Sequence, residues 1–518
     1  MIGKKDHSIL FFSICLTSIF FLLSLCGILH HELWIDEAHS FLIARESPQL
    51  IDLYHNARQE GHPLVWYIIL WGIHAFSQDV LYMQIVHILI SSVTVFFMAY
   101  WAPFNKIKKI LFAFSYYFFF EYNIISRNYS LCLLFVTLYL ILVLRTHKNF
   151  LALAIVLALL ANTHFLGLIF SVLLMLATGM IWWRSSDQLS QTLKPLIIPF
   201  LILFTSYCVC ILYVMPEEAS MFSKFERNGY LSFKRLSACT IILKGLFQFP
   251  YVDNTSWNTN IFTANKGIGF LLTIIVSVVS VKAFINRPLS LFIFWSTVLT
   301  FSLFFYLELM HVYAVRHWGF VFIGFYATIW FAEGLDQRRF LRILNSLQIP
   351  TFLTRNSTKW REIFLYTVLF VQVSASIYMY MWDYYNPFCN AKAVAGYIKE
   401  NKLDKELIIV SNYSSGIALN AYVGKNKFYY PEYHGFGTYG VWSIWPNTIG
   451  SQELLHEIET CKKLTKNDTA LLVLNDLMYA DPTLTFTDSL NFNIKYLTGF
   501  DKSYDAQDKY QLFLVTYK

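Results

Sequence analysis

Leu33-Trp34-Ile35-Asp36-Glu37-Ala38-His39 stands just beyond the apolar run at 9–29, and its reading decides what the rest of the chain is. A run of that length suffices for one helix to cross a hydrocarbon core of roughly 30 Å. Lys4 and Lys5 precede it and no small-residue cleavage site follows, so it reads as a retained anchor rather than a signal peptide. Two adjacent carboxylates at the end of such a helix are costly to hold near lipid, and ionisable residues kept at that cost usually mark function.

Composition extends the membrane reading to most of the chain. Of 518 residues, 56% are hydrophobic, 18% aromatic and 14% charged, with a mean hydropathy of +0.47. Soluble proteins carry about 25% charged residues, so the expected fold class is an α-helical polytopic membrane protein. The formal charge of +7 needs no nucleic-acid partner, because basic cytoplasmic loops produce the same excess. No Gly-rich phosphate loop, Walker signature or Cys/His ligand spacing occurs. Cys15, Cys26, Cys132, Cys208 and Cys210 lie in apolar runs as small hydrophobes. Cys389 and Cys461 fall in the polar C-terminal region, where a disulfide between them stays open if that region faces an oxidising compartment.

Apolar stretches approaching span length lie at 9–29, 80–101, 107–121, 126–144, 149–163, 165–183, 196–215, 267–285, 289–309, 315–333 and 362–382. They amount to about eleven transmembrane helices. With a cytoplasmic N-terminus, alternate loops collect Lys106, Lys108, Lys109, Arg145, Lys148, Arg184, Lys194, Lys282 and Arg287 on one side. The loop at 334–361 adds Arg338, Arg339, Arg342, Arg355, Lys359 and Arg361 to that side, as the positive-inside rule requires. An odd number of crossings then places the C-terminus outside the cell membrane.

His62-Pro63-Leu64-Val65-Trp66-Tyr67-Ile68-Ile69-Leu70-Trp71 is too short to span, and counting it as a span would move 106–109 outside. It reads as an interfacial helix with Pro63 in its first turn and Trp66 and Trp71 at headgroup level. The first outer loop, 30–79, is thus a small helical cap, and 216–266 is a second, longer outer loop. The chain divides at 383/384. Beyond it a small extracytoplasmic α/β domain is expected, with an amphipathic helix at 391–402 and buried strands at 406–411, 470–474 and 511–517.

Polar residues on the expected outer side form a set. Asp36 and Glu37 are joined by Glu121, by Arg127-Asn128-Tyr129 and by His311-Val312-Tyr313-Ala314-Val315-Arg316-His317. Bland alternatives exist for each: a helix cap for the Asp-Glu pair, an ion pair with Arg127 for Glu121, snorkelling for Arg316 and an interface role for His164. His311 and His317, six residues apart, are a weak metal signal. The aromatic run at 116–120 is lipid-facing or core packing rather than a cofactor box, and for Trp442 and Trp445 interface packing competes with stacking on sugar rings.

Asp36-Glu37 after the first span, His62-Pro63-Leu64 opening an interfacial helix, and Glu121 with Arg127-Asn128-Tyr129-Ser130-Leu131 opening a span resemble the GT-C superfamily. Within these polyprenyl-phosphate-dependent glycosyltransferases, the chain is most similar to the protein O-mannosyltransferase and aminoarabinose-transferase-like group, over roughly residues 1–330. The resemblance implies Asp36 as general base toward the acceptor hydroxyl, with Glu37 supporting it or binding a divalent metal in members that use one. It implies Glu121 as the second acidic site, His62 as the histidine that begins the interfacial helix, and Arg316 as a basic residue near the lipid phosphate. A single proline follows His62 where the group usually has two.

The chemistry can also be argued from the residues. Glycosyl transfer from a lipid phosphate needs a base within reach of the attacking hydroxyl and cations for the leaving phosphate. One carboxylate supplies the first. Arg127 and Arg316, with His317 or Lys266, supply the second, the planar guanidinium suiting phosphate best. Tyr129 and His164 complete the expected substrate-binding set. In-line attack inverts the anomeric centre, and 216–266 is expected to serve as a mobile lid that excludes water. Two other readings compete. A lipid-sugar flippase predicts mid-span charges at related positions in two halves, and a polysaccharide polymerase or ligase would use a lipid-diphosphate donor. The acceptor hydroxyl is expected on a glycan, lipid or protein.

Overall fold

The computed structural model describes residues 7–145, 149–185, 194–215, 235–252, 257–307, 314–337, 350, 354–424, 427–441, 449–465, 468–475, 491–503 and 509–518. The protein is mostly helical, with a small C-terminal sheet domain. Seven helices are long and apolar enough to cross a membrane: His7–His30, Val80–Trp101, Phe165–Trp182, Lys194–Val214, Lys266–Phe284, Pro288–Tyr306 and Ser357–Tyr385. The shorter apolar helices Tyr129–Arg145 and Phe150–Ala161 lie at two more of the expected spans, Val315–Gly334 lies at the expected 315–333, and Val65–His74 lies where the interfacial helix was expected. Polar residues start several of them: Asp79 accepts from Leu81 N–H, Asn149 from Ala152 N–H, and Asn265 from the N–H groups of Gly267 and Ile268. Phe11, Leu22, Ile198, Phe204, Leu271 and Phe370 remain exposed along these helices, the belt expected of a surface solvated by lipid.

One expected span is not a single α-helix. Over 107–121 the chain forms Lys106–Ala113, breaks at Ser115, and continues as a π-helical turn, Tyr116–Glu121. The Tyr122 N–H reaches the Tyr117 carbonyl, five residues back, at 3.0 Å. π-turns are rare and frequent at functional sites; this one swings Glu121 inward and buries all six of its residues.

The bundle has two unlike ends. At one, Lys108 bridges Glu333 at 2.5 Å and Glu362 at 2.9 Å, while Arg145 and Lys282 lie over Trp101 and Trp360. Glu333 closes the helix Val315–Gly334 that opens with Arg316, so Arg316 and Asp36 belong to the opposite end.

The C-terminal domain is a six-stranded mixed sheet. Its strands are β1 Leu407–Ser411, β2 Phe428–Tyr430, β3 Gly435–Gly437, β4 Thr469–Asn475, β5 Phe492–Phe500 and β6 Tyr510–Tyr517, in the order β3-β2-β1-β4-β6-β5. β2, β1 and β4 run parallel, and β3, β6 and β5 pair antiparallel. The three expected strands and the helix at 391–402, observed as Ala391–Glu400, are present. Helices Tyr413–Val423 and Ser451–Thr460, and strands β2, β3 and β5, were not anticipated. Alternate residues of the central strands face opposite layers: Ile409, Ala470 and Leu472 pack on Leu454 and Ile458, whereas Ile408, Val410, Leu471 and Val473 pack on Val394, Ile398 and Ile417.

That second layer does not close on itself. It continues into Leu33, Ala38, Phe41, Leu42, Trp66, Tyr67 and Leu70, so the loop bearing Asp36 and the C-terminal domain share one core. The division at 383/384 is therefore a chain boundary but not a packing boundary. Cys389 and Cys461, which the sequence left open as a disulfide, are free thiols in the two different layers of the sheet.

Candidate functional site

The Asp36 neighbourhood is assembled from four turns. Asp36 is the second residue of helix Ile35–Arg45, where the helix N-terminus favours a carboxylate. Its side chain keeps 27% of its surface exposed, and its Oδ2 lies 3.3 Å from Arg316 Nη2 and 3.7 Å from Arg127 Nη2. Arg127 also donates through Nη1 to the Asp36 main-chain carbonyl and through Nη2 to His62 Nε2 at 3.2 Å. Arg316 lies flat over Trp34, 4.6 Å from the ring centre. Tyr122 O–H donates to the Arg316 carbonyl at 2.5 Å. The Tyr122 hydroxyl and the Tyr117 ring lie where a side chain on Gly319 would stand, so only glycine lets these elements meet.

Glu121 reaches the same wall by another route. Its Oε2 accepts from Tyr116 O–H at 2.8 Å and from Trp257 Nε1–H at 3.3 Å. Trp257 packs edge-on against Trp34, 5.0 Å between centroids, and Trp34 carries Arg316. The ion pair of Glu121 with Arg127 weighed from the sequence does not form, since Arg127 is spent on Asp36 and His62.

Glu37 is turned away from this space and fully buried. Its Oε1 accepts from Ser126 N–H at 2.5 Å, and its Oε2 from Trp34 N–H at 2.9 Å and His31 Nε2 at 3.1 Å. His31 Nδ1 meets Asp383 Oδ2 at 2.9 Å. Burial pushes the His31 pKa down, but Asp383 and Glu37 outweigh it and hold it up at about 10. The buried cation between two carboxylates ties the first helix, the Asp36 loop and the last span together. Glu37 is thus placed as a clamp rather than as a second open acid.

His62, Tyr129, His164 and His317 form a backing layer. His62 and His164 rings lie 4.7 Å apart, and His164 and His317 rings 5.8 Å apart. His164 Nδ1 accepts from Leu166 N–H at 2.9 Å, so its proton is on Nε2, which donates to the Tyr129 hydroxyl at 3.2 Å. Burial, and after it Arg127, pushes the His62 pKa well below its ordinary value; burial, and after it His62, does the same to His164. Both are neutral at physiological pH and orient Arg127 and Tyr129 rather than supply charge. His39, one helical turn past Asp36, contacts Glu60 at 3.2 Å and the Gly440 carbonyl at 2.8 Å; burial opposes its protonation, and Glu60 overrides burial to raise its pKa.

Among the described residues no group of three or more His, Cys, Asp and Glu side chains is arranged to hold a metal ion. His311, Trp442, Trp445 and Lys148 lie outside the described residues. So does most of 338–353, and so do 216–234 and 253–256 of the expected lid. Part of that loop is packed inside the bundle: Ile241–Leu246 is buried throughout, Trp257 donates to Glu121, and Asn258 accepts from the Val315 N–H. Residues that the sequence did not single out carry much of the geometry, namely His31, Asp383, Trp34, Tyr116 and Trp257. His31 alone had a signal, as an ionisable residue directly after a span. Comparison with known proteins finds no matching family model and no matching curated relative.

Proposed function

We propose that the protein is a membrane glycosyltransferase of GT-C type that moves a sugar from a polyprenyl-phosphate donor to an acceptor hydroxyl at the extracytoplasmic face. In this reading the interrupted segment, Tyr129–Arg145, Phe150–Ala161 and Val315–Gly334 join the seven long helices to make eleven crossings, the N-terminus is cytoplasmic, and the C-terminal domain is extracytoplasmic. One observation carries it: a partly exposed carboxylate held at 3.3 and 3.7 Å from guanidinium groups of two other turns. Asp36 takes the acceptor proton. Arg316, with Arg127 behind it, takes the charge that develops on the departing phosphate, and Glu121 belongs to the wall next to Arg316. The acceptor attacks the anomeric carbon opposite the phosphate, inverting it. A flippase is less well supported, because these charges gather at one end of the bundle and not in mid-span at paired positions.

The test is direct. Purified protein given a polyprenyl-phosphate sugar and a mixture of cell-envelope acceptors should release polyprenyl phosphate, and Asp36→Asn should slow release by about 10²–10⁴-fold. Release by Asp36→Asn at the wild-type rate removes the base and the assignment with it.

A further inference from the structure

At the end of the bundle opposite Asp36, carboxylates and cations are unevenly matched. Lys108 alone takes two carboxylates, Glu333 at 2.5 Å and Glu362 at 2.9 Å. Around the turn between helices Lys266–Phe284 and Pro288–Tyr306, three cations take none: among the described residues, none of Lys282, Arg287 and Arg361 has a carboxylate within ion-pair distance. Contacts along a single helix face bring Arg361 to that turn. Ser357, Arg361 and Phe364 stand four and then three residues apart in helix Ser357–Tyr385, so their side chains share one face. Ser357 Oγ donates to the Ala283 carbonyl at 3.1 Å, and the Phe364 ring lies 6.4 Å from that of Phe284. From the turn itself, Asn286 donates to the Thr354 carbonyl at 3.0 Å, and Lys282 lies 4.8 Å over the ring of Trp360. Arg361 is held among these contacts, 7% exposed, and its Nε is sealed from solvent with no hydrogen-bond partner among the described residues. The charged group that bears on it most is another guanidinium, Arg287, ahead of Glu362 and Glu333. Arg287 in turn donates to the Leu335 carbonyl at a long 3.4 Å.

Neighbouring guanidinium groups repel, and a buried one without an acceptor forfeits its hydration. An anion with several oxygens relieves both, and phosphate suits the planar donor forks of two arginines. The level along the helix says where such a phosphate comes from. Trp360 with Lys282, and Trp101 with Arg145, mark a belt of aromatic rings and cations at this end, the level at which lipid headgroups lie. Just beyond it along the same helix Ile363 and Phe370 are exposed, as on a surface solvated by acyl chains.

We propose that Arg361 and Arg287, with Lys282 at the rim, bind the phosphate of an anionic bilayer lipid in the leaflet at the end of the bundle opposite Asp36. This site stands or falls without the glycosyl-transfer reading. Lipid binding to the full chain in a nonionic detergent, followed by native mass spectrometry, tests it with phosphatidylglycerol, phosphatidylcholine and inorganic phosphate as probes. The wild type should hold phosphatidylglycerol in preference to phosphatidylcholine. Arg361→Gln and Arg287→Gln should each weaken phosphatidylglycerol by about tenfold, the worth of one hydrogen bond to a charged group, and leave phosphatidylcholine unchanged. Wild-type affinity for phosphatidylglycerol in Arg361→Gln overturns the proposal. So does displacement of the lipid by inorganic phosphate at equal concentration, which would assign the site to a free ion. Melting in the same detergent separates a lost site from a damaged fold. Without lipid, Arg361→Gln removes an unpaired charge and should melt at or above the wild-type temperature. Added phosphatidylglycerol should raise the melting temperature of the wild type and raise that of the variant less. A variant that melts below wild type without lipid makes Arg361 a structural residue and overturns the proposal.

Discussion

Around Asp36 the protein leaves a carboxylate partly open and holds it only with guanidinium groups, whereas around Glu37, one residue on, every acceptor is taken and no surface remains. The two side chains leave the same helical turn about 100° apart, so one enters the space between turns and the other the joint between helices. The difference teaches how a membrane protein can use adjacent acids. Full hydrogen bonding makes a buried charge architectural, since moving it would orphan its donors. Incomplete pairing by cations at the limit of contact leaves a charge available to a substrate.

Three substitutions or conditions sharpen that contrast. The largest effect on stability is expected from Glu37→Ala, which strips the acceptor from His31, Trp34 N–H and Ser126 N–H at once and leaves His31 beside a single carboxylate. Breaking a buried charged network in this way costs about 3–5 kcal/mol. Asp36→Asn, at a partly exposed carboxylate, should cost about 1 kcal/mol or less. Unfolding in denaturant, followed in the same detergent for both variants, checks the ranking, and a reversal would erase the distinction drawn between the two acids.

A smaller, graded effect comes from pH. His31 in the folded protein titrates at about 10, above its ordinary 6.5. The folded state therefore binds its proton more tightly than the unfolded chain, and the stabilisation is complete below about 6.5 and fades as pH rises toward 10. Thermal stability of the wild type should decline over that interval, and His31→Gln should flatten the decline. An equally steep decline in His31→Gln would assign the slope to other groups and remove the buried cation from the joint.

Much of this was legible because hydrocarbon imposes simple rules. The apolar runs at 80–101 and 267–285 correspond to Val80–Trp101 and Lys266–Phe284 within a residue or so, and Asp36, Arg127 and Arg316 stood out as charges at span ends. What could not be read was pairing across long separations. Asp383 belongs to an otherwise ordinary apolar helix until His31 is set against it, and Trp257 looks like a loop aromatic until its indole reaches Glu121. The break at Ser115 escaped because hydropathy counts apolar residues and is blind to a change from α to π winding. Glu37 is a related case: the resemblance implies support of Asp36 or metal binding, and its partners Trp34, Ser126 and His31 could not be read from sequence because residues next to each other on a helix face different surroundings.

The C-terminal domain gives the smallest and most discriminating prediction. Its packing layer is shared with the Asp36 loop, and specific bonds cross the joint: the Tyr422 hydroxyl accepts from Leu33 N–H at 2.8 Å, Arg45 donates to Asn420 at 2.7 Å, and Glu32 accepts from Lys392 N–H at 3.1 Å. Leu33 is fully buried, so Tyr422→Phe leaves its N–H without an acceptor, at a cost of about 1–3 kcal/mol. That loss is local to the entry of helix Ile35–Arg45. Amide exchange should therefore quicken in residues 33–40 while the long membrane helices keep their protection. If the domain were merely tethered to the membrane part, exchange in that helix would be unaffected, and its close contact with the loop would say nothing about how Asp36 is held. If exchange quickens, the domain is part of the scaffold that sets the distance between Asp36 and its two arginines, and a soluble fold appended after the last span becomes a structural requirement of the membrane site.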